Sequence, residues 1–294
     1  MEFVLTLIAS AAPLTTAHLA GIMRYCDSQG LALTREPRWL EPHKAADLYV
    51  AFRPNKEQLR MIRDGLIADR IDILVSPVEN RRKRLLLADM DATIVEGETL
   101  DELAAFIGRK EETAAITAMT MRGELDFAAS LRERVALLKG LEESVLHATL
   151  EQVRLSPGAA LLVGAMREKG AICVLVSGGF TFFTEAIAKA AGFHHHHGNV
   201  LNVENGLLSG TVSEPILDRD AKLALLEHYL LTLDLRAEDV MAIGDGANDL
   251  LMLEMAGLGI GYHPKPLLVE RLDNLILYGD LSAALYAQGL VPNR

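Results

Sequence analysis

The sequence predicts an α/β protein with a parallel-sheet core, a helical cap inserted after the first core strand, and a small α+β module in front. Short apolar runs recur after about residue 85, each ends in small or acidic residues, and helix-like segments separate most of them. Before residue 80, strand-like and helix-like segments alternate. A chain of 294 residues with 50% apolar content is long enough for about two domains.

Residues 1–80 are expected to form the small module, a ferredoxin-like domain with the order βαββαβ. Its expected strands are FVLTLIAS, residues 31–34, DLYVAFR and RIDILVSPV, and its expected helices are residues 14–28 and NKEQLRMIRDGLIAD. The charged stretch 79–84 is interpreted as a solvated linker. Residues 81–294 then form the second domain.

The second domain is expected to contain a buried parallel sheet. Its expected strands are LLLAD, ICVLVSGG, VMAIGDG, GLGIGY and NLILYG. Such sheets bind ligands beyond the carboxyl ends of their strands. Asp89, Ser177 and Asp245 fall at these ends, so we expect them to lie close together.

The segment between Asp89 and Ser177 is much longer than the ~30 residues of one strand-helix-strand crossover. Residues 103–150 are rich in Ala, Leu, Glu and Arg at helical spacing and contain no proline, which predicts a helical cap. Further on, Asn205-Gly206 between apolar alternations predicts a β-hairpin. Four consecutive histidines, residues 194–197, are interpreted as an exposed turn before that hairpin.

Composition excludes several classes of protein. A net charge of -11 argues against a nucleic-acid partner, which requires an electropositive face. No apolar run reaches the ~18 to 20 residues that span a bilayer, so we expect no membrane insertion. Two widely separated cysteines, Cys26 and Cys173, favour a reducing compartment, which we take to be the cytoplasm.

Two segments supply groups that suit phosphoryl chemistry. Asp89-Met90-Asp91 places two carboxylates at the end of an apolar strand, where one can attack phosphorus and the other can protonate the leaving oxygen. Ser177-Gly178-Gly179 offers a hydroxyl and backbone N–H groups to phosphate oxygens. Each segment taken alone is more typical of a turn.

Two further segments complete the pattern. Lys222, on a helix, can neutralise phosphate, although an isolated helix lysine usually lies at the surface. The loop from Gly244 to Asp249 carries Asp245, Asn248 and Asp249 after an apolar strand, and oxygen ligands of this kind suit a hard cation. Four such segments in this order, each at an element terminus, make coincidence improbable.

Taken together, these segments resemble the four motifs of the haloacid dehalogenase superfamily, and residues 85–290 are similar to its phosphoserine phosphatase family. The resemblance implies a Rossmann-like core and hydrolysis of phosphoserine, the last step of serine biosynthesis. It implies that Asp89 is the nucleophile, which forms an aspartyl phosphate. It also implies that Asp91 is the general acid and later the base for water.

The resemblance also implies a ligand set. Mg²⁺ would be bound by the Asp89 and Asp245 side chains and the Asp91 main-chain carbonyl, with Asp249 supporting through water. Residues implied to hold the phosphoryl oxygens or their loop are Ser177, Gly178, Gly179, Lys222 and Asn248. In the cap region, Glu98 would bind the substrate ammonium and Arg134 its carboxylate, while Met121 and Phe127 would close the pocket.

Other interpretations remain open. The chain could act on another small phosphate, such as phosphohomoserine or phosphoethanolamine, or it could be a catalytically silent sensor. The N-terminal module resembles amino-acid-sensing ACT-type domains, but residues 10–13 contain no glycine where sensing relatives often have one. Pairing of two chains through this module is a hypothesis.

Overall fold

The computed structural model describes residues 1–121 and 125–292 of the chain. Its N-terminal part is a four-stranded antiparallel sheet with the strand order β2-β3-β1-β4. The elements are β1 (Phe3–Ala9), α1 (Thr16–Ser28), β2 (Arg38–Glu41), β3 (Ala45–Val50), α2 (Lys56–Asp64) and β4 (Ile71–Pro77). This arrangement confirms the ferredoxin-like α+β architecture expected in front of the core.

Local sequence explains both helices of this sheet. Thr15 and Asn55 cap α1 and α2, because each side-chain oxygen accepts a hydrogen bond from the backbone N–H three residues later. Both helices then bury an apolar stripe against one face of the sheet, where Leu5, Leu7 and Ile73 contribute to the same core cluster.

The second strand is not where the sequence places it. Residues 31–34 form only an isolated bridge, through Leu33 and Val50, and the strand itself is Arg38–Glu41. The reason is local. The Lys44 N–H donates to the Glu41 carbonyl and closes a tight turn, so residues 38–41 are the ones that lie directly beside β3.

The stretch 79–84 is only partly solvated, because two of its basic side chains make internal contacts. Arg81 donates to both carboxylate oxygens of the fully buried Asp47 at 2.7 Å and to the backbone carbonyls of Tyr286 and Ala287. Lys83 is 4% exposed and donates to two backbone carbonyls. The stretch is charged because these side chains join the N-terminal sheet to the rest of the chain.

The rest of the described chain builds the core, the cap and a hairpin. The elements are β5 (Leu85–Ala88), α3 (Thr99–Ala105), α4 (Lys110–Met121), α5 (Phe127–Ala136), α6 (Ser144–Leu150), α7 (Ala159–Glu168), β6 (Ile172–Phe180), α8 (Thr181–Ala191), β7 (His195–Asn199), β8 (Leu201–Glu204), β9 (Leu207–Val212), α9 (Arg219–Thr232), β10 (Val240–Gly244), α10 (Leu250–Met255), β11 (Leu258–Tyr262), α11 (Pro266–Arg271), β12 (Leu275–Ile276) and α12 (Ala283–Ala287).

Six parallel strands form the core sheet in the order β12-β11-β10-β5-β6-β7. Along β5, Leu85 and Leu87 belong to one buried apolar cluster, whereas Leu86 and Ala88 belong to the other. Both faces are therefore covered, which explains the continuous apolar runs. Because β5 lies between β10 and β6, the carboxyl ends of these three strands meet at one place.

Helices α3 to α6 occupy the insertion between β5 and β6, so the helical cap is confirmed as an architectural feature. The hairpin is also confirmed: β8 and β9 are joined by Asn205 and Gly206, both with positive φ. The hairpin contacts the cap, since Gly140 N–H donates to the Leu208 carbonyl at 2.8 Å.

The histidine run is not a turn. His195–Asn199 is β7, the edge strand beside β6. His196 Nδ1 lies 2.9 Å from Thr184 Oγ1, and His197 Nε2 lies 2.9 Å from the Tyr229 hydroxyl. Polar partners on the neighbouring helices satisfy these rings, so composition alone misassigned the segment. Among the described residues, no helix has the length and apolarity needed to cross a membrane.

Candidate active site

Asp89 follows β5 at the centre of the core sheet. Its backbone N–H donates to the Ile243 carbonyl at 2.9 Å, which continues the pairing with β10. Its side chain is buried, and Oδ1 accepts the Met90 N–H at 2.8 Å and lies 2.8 Å from Lys222 Nζ. The carboxylate is thus held in a fixed orientation at the strand end.

Two more carboxylates meet Asp89 from the loop after β10. Asp89, Asp245 and Asp249 each offer one oxygen, and these oxygens all lie within 4.8 Å of one another. Asp249 Oδ2 accepts the backbone N–H groups of Asp245 and Gly246. A Cβ on Gly244 would stand 2.4 Å from Asp249 Cγ, so this approach requires glycine at that position.

Lys222, on α9, lies among these carboxylates and is 1% exposed. Its Nζ is 2.7 Å from Asp249 Oδ1 and 2.8 Å from Asp89 Oδ1. Burial by itself lowers the pKa of Lys222, but the two carboxylates raise it by more, so the lysine stays charged. Burial and the charge of Asp89 raise the pKa of Asp249, while Lys222 opposes that shift.

Asp91 lies on the tight turn after Asp89. Its Oδ1 accepts the Thr99 N–H at 2.9 Å, and its Oδ2 lies 3.4 Å from the Ser177 hydroxyl. Burial, and then the charges of Glu98 and Asp89, raise the pKa of Asp91 to about 7. A carboxyl with a pKa this close to neutrality can both donate and accept a proton near pH 7.

Ser177 and Gly178 stand at the end of β6. Ser177 Oγ accepts the Gly179 N–H at 2.8 Å, which closes a tight turn around the hydroxyl. Asn199, at the end of β7, donates to the Gly178 carbonyl at 2.8 Å and accepts the Leu217 N–H. Gly178 and Gly179 are thus fixed beside the two aspartates.

The cap reaches this same place. The Phe127 ring lies over Gly178, and a Cβ on that glycine would stand 2.7 Å from the ring. Glu98 directly precedes α3, and Arg134 on α5 donates to the Ser130 carbonyl at 3.4 Å. Burial lowers the pKa of Arg134, and the carboxylates of Asp101, Glu98 and Asp91 oppose that shift. Arg134 is therefore near enough to these carboxylates to interact with their charges.

The remaining two predicted site residues lie on the loop after β10 and at the end of α4. Asn248 lies in the short turn Ala247–Asp249, beside Asp245. Met121 ends α4, and its side chain lies outside the described residues. The structure accordingly brings together the carboxylates, Ser177, Lys222 and the cap residues, and leaves the Met121 contact undescribed.

Two residues of the site were not predicted from the sequence. Asn199 supports Gly178, but it lies just after the histidine run interpreted as a turn and was not singled out. Lys265 Nζ lies 3.0 Å from Asp245 Oδ2 and 3.5 Å from Glu98 Oε1. The available signal for Lys265 was its place in Tyr262-His263-Pro264-Lys265, just after an apolar core strand.

The donor set fits a hard divalent cation. Three buried carboxylates supply oxygen ligands of the kind that Mg²⁺ prefers. Burial and the charge of Asp89 raise the pKa of Asp245 to about 6. Such crowding of carboxylates is relieved when a cation binds among them.

Comparison with known proteins supplies the family. A family model described as haloacid dehalogenase-like hydrolase matches residues 86–254. A curated phosphoserine phosphatase of Archaeoglobus fulgidus is 41% identical over 208 residues, which cover 70% of this chain and 60% of that protein. The chain thus spans about three fifths of the length of that relative.

Solved structures agree in fold. A crystal structure of a HAD family hydrolase from Salmonella enterica serovar Typhi aligns with a TM-score of 0.84 at 26% identity. The alignment covers 98% of this chain and 98% of that one. A structure described as a substrate-bound phosphoserine phosphatase complex has a TM-score of 0.66 at 36% identity, covering 70% of this chain and 98% of that one.

Proposed function

Since the chain belongs to the haloacid dehalogenase-like hydrolases, we propose that it is a magnesium-dependent phosphatase that hydrolyses phosphoserine to serine and phosphate. One observation carries the proposal: Asp89, Asp91 and Lys222 meet at the end of the core sheet, and Glu98 and Arg134 of the cap region interact electrostatically with Asp91. The first three residues suit phosphoryl transfer, and Glu98 and Arg134 suit the two charges of an amino acid.

Asp89 is the nucleophile. One of its carboxylate oxygens attacks phosphorus, the bond from phosphorus to the serine oxygen breaks, and an aspartyl phosphate forms. Lys222 and the Met90 N–H fix the orientation of the carboxylate before the attack. The phosphoryl oxygens are held by Ser177, Gly178 and Asn248. The charge of Lys222 stabilises the negative charge on these oxygens while the bonds to phosphorus form and break.

Asp91 moves the protons. With a pKa of about 7 it carries a proton in part of the molecules at neutral pH and can donate it to the departing serine oxygen. The ionised Asp91 then takes a proton from water, which attacks the aspartyl phosphate. This second step restores Asp89 and releases phosphate.

The metal site is proposed from the same residues. The side chains of Asp89 and Asp245 and the main-chain carbonyl of Asp91 would hold Mg²⁺, with Asp249 supporting through water. Bound Mg²⁺ supplies positive charge that offsets the repulsion between a carboxylate nucleophile and a phosphate dianion.

The decisive experiment measures phosphate release from a panel of phosphate esters, with Mg²⁺ and with a chelator. The panel contains phosphoserine, phosphohomoserine, phosphoethanolamine and 4-nitrophenyl phosphate. We expect the highest kcat/KM for phosphoserine and loss of turnover in the chelator. A preference for phosphoethanolamine would reject carboxylate recognition by Arg134, and absence of turnover on every ester would favour the sensor.

Location and assembly remain proposals. The buried free thiols of Cys26 and Cys173 support a reducing compartment such as the cytoplasm. Pairing of two chains through the N-terminal sheet is proposed from the presence of that module, and a monomeric mass in light scattering would reject it.

A further inference from the structure

Lys265 joins two carboxylates that belong to different parts of the site. It follows β11 and precedes α11, and its backbone N–H donates to the Asp245 carbonyl at 2.8 Å. Its ammonium lies 3.0 Å from Asp245 Oδ2, on the loop after β10, and 3.5 Å from Glu98 Oε1, at the entry to the cap. A single cation thus bridges the core to the predicted ammonium-binding carboxylate.

The ammonium of Lys265 is held in this position from several sides. Its side chain passes over Gly246, where a Cβ would stand 3.6 Å from Nζ. The side chain is 40% exposed. The two ion pairs place its positive charge between Asp245 and Glu98.

We propose that Lys265 is a specificity-determining residue, whose ammonium neutralises Glu98 when a bound phosphate ester brings no ammonium of its own. The inference rests on the proposed function, in which Glu98 binds the ammonium of phosphoserine. With phosphoserine, the substrate itself neutralises Glu98. With an ester that lacks the amine, Glu98 repels the anionic ligand, and Lys265 reduces that repulsion.

Loss of Lys265 should therefore sharpen the preference for an amine. The test compares phosphoserine with 3-phosphooxypropanoate, which has the same skeleton without the amino group. Its inhibition constant against phosphoserine turnover measures its affinity whether or not it is hydrolysed. In Lys265→Met we expect the ratio of this inhibition constant to the KM for phosphoserine to rise about threefold or more. An effect of that size is typical of a partly exposed ion pair.

Three variants make the test specific to charge. Lys265→Arg keeps the cation and should restore the wild-type ratio of the two constants. Lys189→Met removes an exposed lysine of α8 with the same change in net charge, and should leave the ratio unchanged. In a Glu98→Gln background, Lys265→Met should no longer alter the ratio, because the carboxylate it neutralises has gone.

If Lys265→Met left the ratio of the inhibition constant to the KM unchanged, the inference would be overturned. An effect that persists in the Glu98→Gln background would also overturn it. These results differ from failure of the proposed function, in which the wild-type protein would not hydrolyse phosphoserine at all.

Discussion

Asp89 and Asp91 are identical side chains that lie in different surroundings. Asp89 Oδ1 lies 2.8 Å from the ammonium of Lys222. Asp91 has no such cation at contact distance among the described ion pairs, and burial raises its pKa to about 7. This difference in surroundings supports the proposal that Asp89 is the nucleophile and Asp91 the proton donor.

Replacing Asp89 by Asn should abolish turnover while the fold persists. An amide has no anionic oxygen to attack phosphorus, so we expect kcat to fall by about 10⁴-fold or more. Phosphate release should be measured on protein shown by mass spectrometry to be free of deamidation, and circular dichroism serves as the folding control. Wild-type turnover by such a protein would reject the covalent mechanism.

The pH dependence should follow Asp91. The pKa of this carboxyl is raised to about 7, so the proton needed for donation is present below that pH and lost as the pH rises through it. We expect kcat/KM for phosphoserine to decline above about pH 7. The decline should be shallower with 4-nitrophenyl phosphate, because its leaving group needs little protonation. A flat profile to about pH 9 with both esters would contradict the role of Asp91.

The sequence could predict the residues at strand ends, because a strand end is a local feature. Asp89, Ser177 and Asp245 each follow an apolar run, and parallel strands bring such ends together. Lys265 also follows an apolar strand, but its position in the sequence does not reveal its partners. Its contacts with Asp245 and Glu98 are made by a long side chain across two loops, and no spacing in the sequence encodes such a contact.

At the scale of elements, the cap is defined by its contacts with the core. Phe127, the first residue of α5, lies over Gly178 at the end of β6, so the cap is closed over the site in this structure. Arg134 lies two turns further along the same helix. In the proposed function, the position of α5 would therefore determine where the substrate carboxylate binds.

Replacing Arg134 by Ala should weaken binding of phosphoserine selectively. Loss of a charge-assisted, two-bond contact should raise its KM by about 10-fold to 100-fold, with little change for 4-nitrophenyl phosphate, which has no carboxylate. Arg132→Ala is a matched control, because Arg132 lies on the same helix but pairs with the exposed Glu214. Similar effects of Arg134→Ala on both esters would contradict carboxylate recognition.

The sequence predicted the strands that have clear apolar runs or turn residues, but not the strand that contains the histidine run. Five core strands and the hairpin at Asn205-Gly206 follow from apolar runs and turn chemistry. The edge strand β7 was missed because its histidines lack the apolar pattern of a core strand, and neighbours such as Thr184 and Tyr229 stabilise it instead. Tertiary contacts of this kind override local preference.

At the scale of the whole molecule, the N-terminal sheet is joined to the core by buried polar contacts. Asp72, on β4, accepts backbone N–H groups from Leu277, Tyr278 and Gly279. Arg81 joins Asp47 of β3 to the carbonyls of Tyr286 and Ala287. The sequence marked residues 79–84 as a boundary, but charge alone could not distinguish a solvated linker from this junction.

Replacing Arg81 by Met should therefore destabilise the entire chain. Asp47 is fully buried, and without its cation it becomes an unpaired internal charge, which typically costs ~3 to 5 kcal/mol. Urea unfolding should report this loss, and the double variant Arg81→Met with Asp47→Asn should recover part of it. Arg82→Met, at an exposed neighbouring position, should change stability by less than ~0.5 kcal/mol. If Arg81→Met matched Arg82→Met, the junction would contribute little to stability, and the N-terminal sheet would be held mainly by its apolar contacts with α12.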